Sequence, residues 1–542
     1  AAAALRGFRA LYLGVFFNVM SLAIGSLAAI KIGQVIFGLS AVETLLWAGV
    51  GVGIYATLGG LTGSIWADFF QYAIAMIGAI AAAVYVVKAD IGGTGVTTLA
   101  GLWERLPADK LCFFPSVEGG DTAALMTVLI LPLAVQWWNV WYPGAEPGGG
   151  GYIAQRMLAA KDEKHAIGAT LLFNFMHYAV RTWPWLVVAL VSLVALPKET
   201  PQQMARSQAW LTENAALVQT YRDDKEAVAP DARTEVRYHI AAARGHGALA
   251  RAFPNVEDSF LRDDIAYPGM ISRLPAGLLG LVVASLIAAH MSTVATHLNW
   301  GASYVVNDFY LRFLKPEATP RQQVRVARIA TVFLLIAGSG AALLLQGAKG
   351  AFDVLLQVGA GTGLIYILRW FWWRINSWSE IAAMIISFLV AVLFKWVAEP
   401  LGLESAMREA GLLNIMAYSG WKLVIGIAIT TVGWLTVTYL TPPEDMSVLA
   451  AFCRKIRAGG PGWRKVEQWA AAQGEPISSD DGRSDLPLGI LCMMLGCAAV
   501  WGLLFAIGYV LYGKWVHASV LGVVTVLATI WLMRLVPRIK LS

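Results

Sequence analysis

Residues 288–300 read AAHMSTVATHLNW and interrupt a long apolar segment with hydroxyls, two imidazoles and an amide. Polar side chains are costly inside a bilayer, so such a run marks either a site or a contact between helices. On a helix, Ala289, Ser292 and Thr296 lie along one face at spacings of three and four, and Thr293 stands beside it, four residues after Ala289. Hydroxyl oxygens with a freed backbone carbonyl make an all-oxygen nest, the ligand set that hard cations such as Na⁺ prefer. The competing reading is structural, because Ser and Thr also satisfy helix carbonyls and join helices. His290 and His297, seven apart, share a face; two imidazoles without a carboxylate favour structural hydrogen bonding over metal ligation.

A second candidate is a break. The run LAVQWWNVWYPGAEPGGGGYIAQRMLAAK places Pro143, Pro147, Gly144 and Gly148–Gly151 where a regular helix cannot continue. Non-helical backbone at membrane depth is tolerated only against protein or a water-filled cavity, and discontinuous spans are where transporters hold solute. Trp137, Trp138, Asn139, Trp141, Tyr142 and Glu146 crowd this break and suit a small polar solute; an interfacial loop under an aromatic belt is the alternative. Further along, Asp353 and Gln357 are four apart and are candidate solute contacts, while Gly359, Gly361 and Gly363 loosen or tightly pack the same helix. An isolated Asp68 in an apolar helix calls for a cation or a hydrogen-bond donor. His177 and Arg181, four apart, favour a structural role, with Arg181 expected to face the bundle and pair with a carbonyl or an acid.

The elements that must position these residues follow from composition. The 542 residues are 58% hydrophobic and only 14% charged, against about 25% charged in a soluble domain. The chain is therefore expected to be an all-α polytopic membrane protein. Spans need roughly 20 apolar residues, and twelve candidates fit: 8–37, 42–59, 62–87, 122–142, 166–196, 270–308, 322–346, 351–373, 379–398, 420–440, 487–512 and 515–535. The segment 270–308 is too long for one crossing, so part of it should project or bend. The stretches 88–121, 197–265 and 441–486 are soluble in character. With the N-terminus inside, short inner ends carry fifteen Lys and Arg and short outer ends nine, which puts both termini in the cytoplasm.

Net charge is +6, but the basic residues are scattered at segment ends, which argues against a nucleic-acid partner. The four cysteines form no CxxC pair, so neither a disulfide framework nor a zinc site is expected. The opening AAAALRGFRA has neither the apolar stretch nor the cleavage site of a signal peptide, and the start of the natural chain is expected to be missing. HExxH, GxSxG and P-loop patterns do not occur, so an enzyme is not expected.

Two motifs carry a family resemblance. YATLGGLTGSIWADFFQ, residues 55–71, resembles the Tyr-x-x-x-Gly-Gly-Leu-x-x-x-x-Trp-Thr-Asp-x-x-Gln signature of the sodium:solute symporter family, with Ala67 where Thr is usual. AAHMSTVATHLNWGASYVVNDFY, residues 288–310, is similar to that family's eighth core helix. GYIAQRMLAAKDEKHA (151–166) resembles the stretch after the sixth core helix, and ILRWFWWRINSWSE (367–380) the end of the tenth in a bacterial subgroup. The match runs from about residue 6 to 400.

The resemblance implies an inverted-repeat transporter fold, two five-helix repeats with peripheral helices, in an inner membrane. It implies a sodium ion held by the Ala289 carbonyl and the Ser292 and Thr293 hydroxyls. Asp68, Ser292 and Thr296 match a second sodium set, in which Ala295 stands where the family uses a hydroxyl. Aligned in this way, span 8–37 matches the third core helix, so the first two are absent and the chain reads as an N-terminally truncated copy. The expected organisation is core helices three to five in 1–88, an extracellular loop over 89–121, core helices six to ten in 122–375 with the extracellular insertion 197–265, peripheral helices over 376–440, a cytoplasmic loop over 441–486, and a C-terminal helix pair over 487–542. The implied function is sodium-coupled symport of a small polar solute: a sugar, polyol, amino acid or organic acid. A membrane sensor or regulatory remnant without transport is the alternative.

Overall fold

The computed structural model describes residues 2–91, 93–115, 122–138, 157, 159–345, 348–456, 460–477 and 486–538, and every regular element there is helical. Ten helices frame the molecule: α1 Ala2–Phe37, α2 Ala41–Lys88, α3 Glu163–Ala195, α4 Ala276–Leu314, α5 Pro320–Ala342, α6 Ala348–Leu368, α7 Ser377–Ala398, α8 Tyr418–Leu440, α9 Pro487–Leu511 and α10 Trp515–Arg538.

Their starts follow local chemistry. Before α2, the Ser40 hydroxyl accepts from the Glu43 amide at 3.2 Å, and the Glu43 carboxylate accepts from the Ser40 amide at 2.8 Å. Two otherwise orphaned N–H groups are thereby satisfied. Thr319 and Gln322 form the same reciprocal box ahead of α5, whose first residue is Pro320, and Asn376 caps α7.

Nine helices among the described residues are long and apolar enough to cross a membrane, and three shorter apolar ones, Ala41–Ile54, Ala123–Val135 and Gln357–Leu368, fall at the remaining expected spans. Of the twelve expected crossings, nine therefore correspond to helices of sufficient length among the described residues, and the other three to shorter apolar stretches. One connection is corrected. The expected spans 42–59 and 62–87 are a single 48-residue helix, α2. Gly59 and Gly60 are helical, because a glycine pair without proline or a capping residue weakens a helix without ending it. At 1.5 Å per residue α2 runs about 72 Å, well beyond a bilayer core of about 30 Å. The long α4 changes character as expected of an over-long span: it is π-helical from Tyr304 to Leu314.

Helix α4 packs along α2 and α1, α5 closes over α1, and α6, α7 and α8 form a second packed group. Between α3 and α4 the segment 197–265 folds as helices Pro201–Glu213, Ala215–Asp223, Pro230–Ala242 and Gly247–Ala252 around Val218, Tyr221, Val228 and Val236. It is fastened to the end of α1 by Lys31, whose buried ammonium lies 2.6 Å from Asp264 Oδ1, and by Gln34 Nε2, which donates to Glu257 Oε1 at 3.0 Å. A smaller unit, Met446–Ile456 and Arg464–Ala472, docks on the end of α6, where buried Trp463 donates its indole N–H to the Trp370 carbonyl at 2.9 Å.

Candidate functional site

Asp68 on α2 and the turn 289–297 on α4 meet. The Ser292 hydroxyl donates to Asp68 Oδ1, which gives the isolated acid of the sequence a partner 224 positions away. Thr296, one turn further along α4, is 7% exposed. A carboxylate and a hydroxyl thus meet at the α2–α4 contact, with a second, buried hydroxyl i+4 along α4. Every group in this set offers oxygen, and the carboxylate supplies the negative charge that a monovalent cation needs in an apolar helix pair.

The other two members of the expected cation set are placed differently. Ala289 and Thr293 are exposed, four residues apart on the open edge of α4. Ser292 and Thr296 turn into the protein while Ala289 and Thr293 turn out of it, because the four positions span an arc of about 100° at 100° per residue.

The two histidines both hydrogen-bond to α1. His290 is hydrogen-bonded to the Gly25 backbone. His297 Nδ1 lies 2.9 Å from Asn18 Oδ1, and Asn18 Nδ2 donates to the His297 carbonyl at 2.8 Å. Asn18, fully buried, is a residue that sequence reading passed over; its signal was an amide in the middle of an apolar span.

The solute candidates divide. Asn139, Trp141, Tyr142 and Glu146 lie outside the described residues, as does the side chain of Asp353. Trp137 is 54% exposed. Trp138 packs on α6 at Gly363, where a Cβ would come within 2.7 Å of the Trp138 carbonyl oxygen, so the absent side chain permits that approach. Gln357 is buried beside Gly426 of α8, and its Nε2 has no hydrogen-bond partner among the described residues. The two candidate sets therefore occupy different helix groups: Ser292 and Asp68 between α4 and α2, Trp138 and Gln357 around α6 and α8.

Arg181 departs from expectation. It is exposed, its Nη1 lies 3.2 Å from His177 Nδ1, and its guanidinium lies over the Trp185 ring at 6.0 Å. The i+4 spacing on α3 makes this local pairing available, so no acid on another helix is required. A charged joint that sequence reading also missed ties α1 to α6 and α7. Glu380, 7% exposed, lies 3.1 Å from Arg369 and 4.0 Å from Arg9.

Comparison with known proteins agrees with this architecture. Residues 240–387, which include the whole 289–297 turn, match the sodium:solute symporter family. A sodium/glucose cotransporter from Vibrio parahaemolyticus is 25% identical over 71% of this chain and 62% of its own length. The sodium/proline symporter of Escherichia coli (strain K12) is 24% identical over 72% of this chain and 64% of its own length. The chain thus spans a little under two thirds of the length of these relatives. A solved structure of a Na⁺-coupled sialic acid symporter, in a substrate-bound outward-open state, superposes with a TM-score of 0.50 at 17% identity, covering 82% of this chain and 76% of that one. Residues 240–387 thus resemble the sodium:solute symporter family, a family of transporters, and the relatives and the fold point the same way.

Proposed function

We propose that the protein is a sodium-coupled symporter of a small polar solute, and that Ser292, Thr296 and Asp68 supply oxygens to a cation site. The observation that carries this reading is the Ser292–Asp68 pair with buried Thr296 beside it in otherwise apolar helices. Without the ion, the Ser292 hydroxyl proton satisfies the carboxylate. When Na⁺ enters, that hydroxyl rotates to present a lone pair, and the Asp68 charge is neutralised by the ion instead of a hydrogen bond. Ala289 and Thr293, on the open edge of the same turn, are the positions from which a carbonyl and a hydroxyl would reach an ion held between α4 and a further element.

Coupling requires that the ion and the solute each bind one conformation better than another. A cation bridging α2 and α4 does this, because it favours the arrangement in which the two helices bring their oxygens together. Within the inverted-repeat reading, the protein lies in an inner membrane, and solute contacts come from the segment Trp137–Glu146 and from Asp353 and Gln357. The relatives named above are a glucose cotransporter, a proline symporter and a sialic acid symporter, so small polar solutes bearing hydroxyl or carboxylate groups are the class proposed. The test is uptake of labelled glucose, proline and sialic acid into proteoliposomes under an inward Na⁺ gradient, with choline as the control. Solute accumulation indifferent to that replacement sinks the proposal. The alternative, a membrane sensor without transport, draws on the folded 446–472 unit docked on α6; a soluble partner captured by that unit, together with no Na⁺-driven uptake, selects it.

A further inference from the structure

Helices α1 and α4 run antiparallel and meet in one register over most of α1. Arg6 Nε lies 3.5 Å from Asp308 Oδ1. Eight residues along α1, a Cβ on Gly14 would strike the Tyr304 side chain, and a Cβ on Gly301 would lie 2.8 Å from the Gly14 carbonyl oxygen. Next comes the Asn18–His297 pair, and seven residues beyond it Gly25 meets His290. Asn18 to Gly25 and His290 to His297 are each two turns of helix, so both rungs stand on the same face of their helices.

We propose that this ladder is a register lock, with Asn18 as a positioning residue that sets the rotation and axial position of the 289–296 turn for cation binding. This rests on the reading of that turn as a sodium site.

Three features single out Asn18. It is fully buried and spends both ends of its amide on one residue: Nδ2 donates to the His297 carbonyl and Oδ1 faces His297 Nδ1. Donation to a carbonyl fixes which end of the amide is nitrogen, and this in turn places the His297 proton on Nδ1. The approach depends on Gly301, because a Cβ there would overlap Asn18 Nδ2 and crowd Leu334 Cδ1 at 2.6 Å. His297 also directly follows Thr296 and is five residues from Ser292, which is held from the other side by Asp68 on α2. The candidate ligands thus lie between two polar clasps that face different helices. Turning α4 by one residue, about 100°, breaks both clasps. The lock uses no charge, so it holds in an apolar seam without the desolvation cost of an ion pair.

The experiment uses the full chain purified in detergent, with Na⁺ itself as the probe. Thermal unfolding is followed by tryptophan fluorescence while NaCl replaces choline chloride at constant ionic strength. Asn18→Ala and His297→Ala are each expected to raise the half-saturating Na⁺ concentration roughly three- to fifteen-fold, the range spanned by loss of an interhelical hydrogen bond in a membrane protein. The double variant should do no more than the stronger single one, because the two act as one contact. Ser292→Ala is the reference that tests the site. A shift with Ser292→Ala and none with Asn18→Ala, even where Asn18→Ala lowers the melting temperature without Na⁺, overturns the lock and leaves the site standing. If neither moves the Na⁺ dependence, the cation reading falls and the lock with it. Should Asn18→Ala fail to fold, Asn18→Ser, which loses the two-ended contact in a smaller step, reads the same quantity.

Discussion

Two parts of this molecule pin their helices with polar side chains and do so in opposite ways. In the insertion 197–265, the hub is charged. Asp258 receives Arg237 Nε on Oδ1 at 2.7 Å, and on Oδ2 the Tyr221 hydroxyl at 2.7 Å and Lys225 Nζ at 2.8 Å. Arg237 spends its remaining donors on the carbonyls of Ala250, Phe253 and Val256. At the α1–α4 seam the pinning pair is neutral, an amide against an imidazole and a carbonyl. Water lowers the cost of ionising the first set, whereas the second lies between apolar helices where an unbalanced charge is expensive. The one acid at the proposed site, Asp68, is thus the exception that a mobile cation would explain, and Lys31, the buried cation of α1, is matched by Asp264 of the insertion.

The comparison can be broken most forcefully at the insertion. Arg237→Ala leaves Asp258 partly buried and frees three carbonyls, so it should destabilise this unit by roughly 3–5 kcal/mol, the cost of removing one partner of a buried pair. Hydrogen exchange over 215–258 should rise, with little change in α4. Protection unchanged across 215–258 would mean that the hub is ornamental.

A second test addresses the seam. Ser292→Ala should weaken Na⁺ binding about ten-fold, equivalent to about 1.4 kcal/mol, while exchange in the insertion stays as it was. Equal effects of Ser292→Ala and Arg237→Ala on both readouts would erase the distinction between the two regions.

Acid sharpens the contrast. Burial raises the Asp258 pKa, but hydrogen bonds from Lys225, Tyr221 and Arg237 outweigh it and hold the carboxyl below its usual value. A depressed folded pKa contributes stability that is fully present above the unfolded value of about 3.9 and is lost as pH falls through the folded one. The insertion should therefore loosen progressively below about pH 4, seen as rising proteolysis within 197–265. Stability of that unit indifferent to pH between about 4 and 2 would contradict the hub's charged character.

The smallest effect belongs to Lys225, whose side chain is 53% exposed. Lys225→Ala should cost under about 1 kcal/mol, as exposed pairs do, and a loss comparable to that of Arg237→Ala would show that exposure, not burial, governs this hub.

Much of this was legible in advance. The polar run 288–300 stood out because hydroxyls and imidazoles break an apolar pattern, and its helical period placed Ser292 and Thr296 together. Asp68 was conspicuous for the same reason. Their pairing was not readable from periodicity, since it joins helices 224 positions apart. The expected boundary between spans 42–59 and 62–87 is absent, because the helix runs on through Gly59 and Gly60. Arg181 misled because depth in an apolar segment does not say which way a side chain points.

The amino-acid order alone determined which segments are apolar helices, where they begin, and which polar residues interrupt them, because hydropathy, capping boxes and period act within a few turns of chain. Only tertiary structure decided that Asn18 meets His297, that Ser292 meets Asp68, and that Ala289 and Thr293 are left on an open edge. These outcomes depend on how whole helices rotate and slide against one another, and that choice is made by close packing at positions such as Gly14 and Gly301, hundreds of residues apart in sequence and in contact in space.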